Sequence, residues 1–148
     1  MADGDARPIK EKEGVALHTT STDAVGMNRY QRAHQLWSVL ILAAKNRQIL
    51  TYAMAGKITG LPPAALGKHL YPIQYYCQQQ KPELPPLTVL VVQQDSGLPG
   101  EGLMVADFAK SIQEVFNFDW FMHKAPKSKM GPDAEDFQRA TEQHDKEI

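Results

Sequence analysis

At 148 residues with 43% hydrophobic content, the chain is long enough for one domain with its own core. A single cysteine, Cys77, excludes an intramolecular disulfide, and the longest apolar stretch, residues 36–44, is too short to span a bilayer, which takes about 20 residues. The first residues show no secretory-signal pattern, so the sequence predicts a cytoplasmic protein with no membrane partner.

The formal net charge of -1 hides a strong asymmetry along the chain. Residues 28–92 carry seven basic side chains and one acid, a net charge of +6, whereas residues 1–27 carry -2 and residues 93–148 carry -5. A nucleic acid responds to the local field of the surface that faces it, so the central segment indicates a polyanionic partner. A solvated basic face without any partner is the alternative interpretation.

The ordered part of the chain is predicted to begin with an amphipathic helix. Apolar side chains recur at spacings of three and four over residues 29–47, and Asn28 can cap the first turn. Residues 1–27 lack hydrophobic periodicity, and we interpret them as a flexible N-terminal arm.

A short helix is predicted next, over residues 52–59. Thr51 is suited to its N-cap because a threonine hydroxyl can accept a hydrogen bond from the first free amides. Gly60 can adopt the left-handed conformation that ends a helix.

A tight turn at residues 60–62 leads into the next helical segment. Pro63 suits a first helical position, so a helix is expected over residues 63–70. Pro72 then begins a further helix to about residue 80, unless the two segments form one kinked helix.

A buried strand is predicted over residues 87–94, where the run LTVLVVQQ is rich in Val, Leu and Thr and is flanked by turn residues. The glycine-rich run at 95–102 lacks the lysine and the serine or threonine of a phosphate-binding loop. We interpret it as a turn that folds the chain back, in the position of a wing.

The last predicted helix covers residues 106–115, and from residue 124 onward the chain is polar. This C-terminal tail is expected to be partly helical if another surface receives Phe137. Between the helix and the tail, four aromatic residues are expected to close the core. They are Phe116, Phe118, Trp120 and Phe121.

The order of these elements is that of a helix-turn-helix followed by a wing. We therefore predict an α+β, mainly helical fold, a winged helix-turn-helix with a short sheet and terminal arms. The winged-helix domain would occupy residues 28–123, between the arm at 1–27 and the tail at 124–148. In this architecture the second helix of the pair enters a groove of duplex DNA, which places the functional residues at 51–69.

The opening of the helix pair provides the first candidate contacts. Thr51, Tyr52 and the amides that begin the helix can hydrogen-bond phosphate, which the positive end of the helix dipole favours. Lys57, Lys68 and His69 can add charge contacts.

Four motifs carry a resemblance to a known family. They are Thr51-Tyr52 at the start of the first helix, Gly60-Leu61-Pro62 at the turn, Ala64-Ala65-Leu66-Gly67 in the second helix and the glycine-rich turn Ser96-Gly97-Leu98-Pro99-Gly100. With these motifs, residues 50–103, about a third of the chain, resemble the DNA-binding half of alkylguanine-DNA alkyltransferases and their non-catalytic alkyltransferase-like relatives. The resemblance implies that the helix containing Ala64 enters the minor groove.

Departures from the family pattern remove its chemistry. Leu87 stands where the alkyl-accepting cysteine would be, Thr88 where its histidine would be and Leu66 where the base-displacing arginine would be. The resemblance therefore implies DNA docking without alkyl transfer. Cys77 lies beside two tyrosines with no local histidine or asparagine, and we interpret it as a buried structural cysteine.

Together these observations predict a non-catalytic protein that binds double-stranded DNA, with a regulatory role as one option. The five histidines never approach metal-ligand spacing, so neither a metal nor another cofactor is predicted. The predicted nucleic-acid-binding residues are Arg47, Thr51, Tyr52, Lys57, Ala64, Lys68 and His69.

Two other function classes are alternatives to DNA binding. The main alternative is a protein–protein interaction module on a winged-helix scaffold, including a homodimer formed through the long first helix or through residues 116–121. A hydrolase or transferase is the third class, and we find no residue constellation that supports it.

Overall fold

The computed structural model describes residues 22–127 and 135–147. Within those residues the fold is mainly helical with one short two-stranded sheet, which confirms the predicted α+β class. Most of the predicted arm, residues 1–21, and part of the predicted tail, residues 128–134 and 148, lie outside the described residues.

The described residues form five helices and two short strands. The helices are α1 (Arg29–Lys45), α2 (Tyr52–Thr59), α3 (Leu66–Gln79), α4 (Phe108–Asn117) and α5 (Asp136–Lys146). The strands β1 (Leu50–Thr51) and β2 (Val91–Val92) pair in parallel, with Leu50 opposite Val91 and Thr51 opposite Val92. Short 3-10 turns cover Pro63–Ala65 and Leu87–Leu90.

The start of α1 is fixed by a reciprocal cap. The Asn28 side chain accepts hydrogen bonds from the amides of Tyr30 and Gln31, and the Gln31 side chain accepts one from the Asn28 amide. This capping box satisfies amides that no carbonyl of the helix can reach, so the helix begins as predicted.

The boundaries of α2 also follow from local hydrogen bonding. The Thr51 hydroxyl accepts a hydrogen bond from the Met54 amide at 3.1 Å, and Gly60, with φ of 78°, ends the helix in the left-handed conformation. The prediction for residues 52–59 is confirmed in full.

The two helical segments predicted after the turn form one helix. α3 begins at Leu66 and continues through Pro72, which lies in its interior and is buried. The missing proline amide removes one helical hydrogen bond, and the burial of the ring offsets that loss. Residues 63–65 form a 3-10 turn instead of the start of the helix.

The predicted strand at 87–94 is wrong over most of its length. Leu87–Leu90 form a 3-10 turn, and only Val91 and Val92 pair with another strand. Residues 87–92 are all buried, so burial explains their apolar composition without strand pairing. Because β2 runs parallel to β1, this pair is not a hairpin, and the glycine-rich run after β2 is a loop.

The centre of the core is a group of aromatic side chains. The Trp37 ring meets the rings of Tyr76 and Trp120 edge-on, each at 5.6 Å, and the ring of Phe137 at 5.9 Å. Of the four aromatics predicted to close the core, Trp120 is buried and two are half-buried. Phe121 is 56% exposed, so that part of the prediction is wrong.

The last helix completes this core. Phe137 of α5 is fully buried, and the Gln79 side-chain amide of α3 donates a hydrogen bond of 2.7 Å to the Ala140 carbonyl. The rings of Tyr75 and His144 stack at 3.8 Å between the same two helices. The polar sequence around Phe137 thus forms a helix because the core receives that ring.

One of the seven central cations is used inside the fold. Arg32 is 5% exposed, forms an ion pair with Asp23 and donates a hydrogen bond of 2.7 Å to the carbonyl of Thr59, the last residue of α2. The hydrogen bond from Arg32 lowers the pKa of the Asp23 carboxyl to about 2. The guanidinium therefore joins α1 to the open end of α2.

Phe137→Ala is expected to lower the free energy of unfolding by about 3–5 kcal/mol, because it removes a fully buried ring from the aromatic core. Urea denaturation measures the change. The matched control is Gln143→Ala at an exposed position of α5, which should change stability by less than about 0.5 kcal/mol. A loss below about 1 kcal/mol for Phe137→Ala would show that α5 is not part of the core.

Candidate nucleic-acid interface

Two of the predicted site residues line a shared concavity. Its volume is about 370 Å³, and Tyr52 of α2 and Ala64 of the 3-10 turn form part of its wall. Gly67, at the start of α3, completes that side, and the space where a Cβ of Gly67 would project is open. The glycine-rich loop after β2 forms the opposite side through Gly100 and Glu101.

This loop is held against the helix pair by two tyrosines. The Tyr52 hydroxyl accepts a hydrogen bond from the Gly100 amide at 3.3 Å, and the Tyr71 hydroxyl donates one to the Glu101 carbonyl at 3.1 Å. A Cβ at Gly100 would lie 2.6 Å from the Tyr52 hydroxyl, and one at Gly102 would lie 2.7 Å from the Tyr71 hydroxyl. Only glycine fits at either position without displacing a tyrosine.

The tyrosine contacts were not predicted from the sequence. The pattern of glycines indicated a turn, whereas the structure shows that the backbone must also approach Tyr52 and Tyr71 closely. Burial raises the pKa of Tyr52, so its hydroxyl stays neutral at physiological pH.

Thr51 is the N-cap of α2, next to Tyr52. Its hydroxyl oxygen accepts the hydrogen bond that caps α2, and its proton can still be donated to a phosphate oxygen.

The exposed face of α2 combines charge with apolar surface. Lys57 is exposed, and Met54 and Ile58, on the same side of the helix, are 49% and 58% exposed. Lys68 is exposed on α3. Within residues 22–127 and 135–147, no carboxylate forms an ion pair with Lys57 or Lys68, so both ammonium groups are available to an anion.

The structure places His69 in the interior, which corrects its prediction as a surface contact. The residue is 5% exposed, and its Nδ1 lies 2.8 Å from the Ala65 carbonyl. Burial lowers the pKa of His69, so the ring is neutral and offers no charge to a phosphate. The sequence did not show whether His69 is buried or exposed, because its neighbour on the helix, Lys68, is exposed.

Arg47 is held against α4, apart from the concavity beside Tyr52. Its Nη2 donates a hydrogen bond of 2.8 Å to Oδ1 of Asn117, and its guanidinium lies 5.7 Å from the centroid of the Phe116 ring. The concavity beside Tyr52 has no lining residue from this group.

The backbone of Arg47 explains why α1 ends two residues earlier than predicted. Its φ is 54°, the left-handed region, and the amides of Arg47 and Gln48 bond back to the carbonyls of Ala44 and Ala43. This is the Schellman pattern, in which glycine is the usual residue at the left-handed position. A residue with a side chain is less stable there by about 1–2 kcal/mol.

The positions that carry chemistry in the resembled family contribute to the core here. Leu66, Leu87 and Thr88 are all buried. Cys77 is buried as well, and burial raises the pKa of its thiol to about 12. A thiol in that environment stays protonated at neutral pH, so it is a poor nucleophile.

The described residues contain neither a metal-binding cluster nor a helix that could cross a membrane. Among its residues, no three or more His, Cys, Asp or Glu side chains come together as a metal site requires. None of the helices in the same residues has the length and apolar character needed to cross a bilayer.

No protein-family model matches the chain, and no match was found among curated proteins or solved structures.

Arg47→Gly is expected to leave the free energy of unfolding within about 1 kcal/mol of the wild type, because relief of the left-handed strain offsets the lost contacts. Arg47→Ala loses the same contacts with Asn117 and Phe116 but keeps the strain. The alanine variant should therefore be less stable than the glycine variant by about 1 kcal/mol in urea denaturation. Equal stability of the two variants would contradict the left-handed conformation of residue 47.

Proposed function

We propose that this protein binds double-stranded DNA without catalysis, as a variant of the winged helix-turn-helix class. The observation that carries the proposal is the convergence of α2, the turn after it and the start of α3 on one concavity, with Lys57 and Lys68 exposed on the same helices. The central excess of positive charge supports a polyanionic partner for this surface.

In the proposed complex, α2 and α3 make different contacts with DNA. α2 crosses the phosphate backbone, with Lys57 exposed on it, and the start of α3 faces the groove. Ala64 is exposed, and the space beside Gly67 is open, so neither residue obstructs a close approach of DNA to the start of α3. Lys68, one residue further along α3, neutralises a second phosphate.

The loop after β2 takes the place of the wing. It is a loop of residues 93–107 instead of a hairpin, and its hydrogen bonds to Tyr52 and Tyr71 hold it beside the helix pair. Gln93 and Gln94 at its start are exposed amides, which suit hydrogen bonding to phosphate or sugar oxygens.

Phosphate contacts would supply most of the affinity of such an interface. Binding should therefore weaken with salt, with a log–log slope of about -0.9 for each neutralised phosphate. Proteins of the family that residues 50–103 resemble bind DNA through helices in a similar order. Leu66 stands where that family has a base-displacing arginine, and its burial favours binding without base displacement.

Lys57→Glu combined with Lys68→Glu is expected to abolish binding to a generic duplex while leaving the fold intact, because both side chains are exposed and have no acidic partner in the described chain. Fluorescence anisotropy at low salt measures the affinity, and circular dichroism checks the fold. The wild type should bind with a Kd below about 0.1 mM.

The matched control for this variant is Lys81→Glu with Lys110→Glu, which changes the net charge by the same amount at exposed positions outside the helix pair. It should weaken binding only slightly, through the long-range field. Equal losses in the two double variants would show that net charge and not this surface governs binding. Absence of wild-type binding below about 0.1 mM would overturn the proposal.

A second candidate function is a homodimeric interaction module on the same scaffold. The exposure of Met54 and Ile58, one turn apart on α2, favours it, because adjacent exposed apolar side chains are typical of protein interfaces. Sedimentation velocity at increasing concentration should then show a dimer, and Met54→Glu with Ile58→Glu should convert it to a monomer. A wild type that stays monomeric would exclude this candidate.

A further inference from the structure

A second concavity, of about 360 Å³, lies between the end of α1 and the segment that begins at the end of α4. Lys45 and Arg47 line one side, and residues 116–121 line the other. None of the described residues lines both this concavity and the one beside Tyr52. Its volume falls in the range of small-molecule sites, about 300–1,000 Å³.

The charged lining of this concavity favours an anion. Lys45 and Arg47 are both exposed, and within the part of the chain that the structure describes neither forms an ion pair with a carboxylate. Arg47 uses one of its N–H groups on the neutral amide of Asn117, so most of its five donors remain available. Among the described residues of the lining Asp119 is the one acid, against the two cations Lys45 and Arg47.

The aromatic lining offers a surface for a flat ring. Phe118 is held by Trp120, with ring centroids 4.5 Å apart, and the Phe116 ring lies beneath the Arg47 guanidinium. Phe121, which also lines the concavity, is 56% exposed and so presents a ring to solvent. Exposed aromatic side chains beside cations are the arrangement on which unpaired bases stack.

The backbone of Arg47 gives an independent indication of function. The end of α1 places this residue in the left-handed region, where glycine would be more stable. Strained non-glycine residues cluster at binding and catalytic sites, because the surrounding structure positions a side chain that the site requires. Here the strained residue directs a guanidinium along the wall of the concavity.

We propose that this concavity binds a nucleotide through a terminal phosphate. The phosphate lies between the Lys45 ammonium and the Arg47 guanidinium, whose planar fork matches two phosphate oxygens. The base stacks on Phe121, and the Asp119 carboxylate accepts a hydrogen bond from a sugar hydroxyl or a base amino group. A free mononucleotide and the 5′-phosphate end of a DNA strand share this chemistry.

Isothermal titration calorimetry of the wild type with AMP, adenosine and inorganic phosphate tests the site. AMP is expected to bind at least about tenfold more tightly than either fragment, because only AMP engages both the cations and the aromatic ring. No saturable binding of AMP below about 1 mM would overturn the proposal. Adenosine binding as tightly as AMP would overturn it as well, since the phosphate would then have no role.

Arg47→Gly is the decisive variant because glycine suits the left-handed backbone, so the guanidinium is removed without adding strain. It should weaken AMP binding at least about tenfold while the melting temperature stays within about 5 °C of the wild type. Phe121→Ala should weaken AMP binding and leave the binding of inorganic phosphate unchanged. Wild-type affinity for AMP in Arg47→Gly would exclude this site.

Two further comparisons separate the ligand sources and the two proposed surfaces. A short oligonucleotide with a 5′-phosphate that binds more tightly than AMP would identify a strand end as the ligand, and one that binds more weakly would identify the free nucleotide. A 5′-hydroxyl strand binding as tightly as the phosphorylated one would overturn the proposal. Lys57→Glu with Lys68→Glu should keep wild-type AMP affinity, so failure of duplex binding and failure of this site are distinguishable.

Discussion

The fold depends on the packing of aromatic rings around Trp37. This side chain of α1 contacts Tyr76 of α3, Trp120 after α4 and Phe137 of α5, so one indole joins four segments that are distant in sequence. Large aromatic rings bury more apolar surface than other side chains, and their edge-on geometry fixes orientation as well as distance. Both concavities lie on elements that this cluster holds in place, α3 for one and the segment after α4 for the other.

Polar contacts then position α2 on that core. Arg32 reaches from α1 to the carbonyl of Thr59 at the end of α2, and Tyr52 at its beginning bonds to the loop after β2. A helix of only eight residues has little stability of its own, so contacts at both ends determine where it lies. The proposed DNA-binding surface is therefore built from a short helix with little freedom to reorient.

The sequence was sufficient for the helix boundaries that a capping side chain or a glycine marks. Asn28, Thr51 and Gly60 cap helices through bonds to residues within a few positions, and these boundaries were predicted correctly. The sequence was insufficient where contacts between distant residues determine the secondary structure. The apolar run at 87–92 is an example, because a buried 3-10 turn and a buried strand both require apolar residues. In the candidate site, Tyr52 and Ala64 line one concavity. His69 is buried instead, and Arg47 contacts α4. No local sequence pattern distinguished these positions from one another.

The close packing of the loop backbone at Gly100 and Gly102 against the hydroxyls of Tyr52 and Tyr71 has a thermodynamic consequence. Hydrogen bonds to Tyr52 and from Tyr71 hold the loop that carries Gly100 and Gly102 against the helix pair in the absence of any ligand. The conformational entropy of ordering that loop is lost during folding and is not subtracted from the free energy of association. A preorganised loop of this kind would favour docking at the proposed surface with little rearrangement, and the affinity would then depend on the Gly100 and Gly102 backbone as well as on the side chains that contact the ligand.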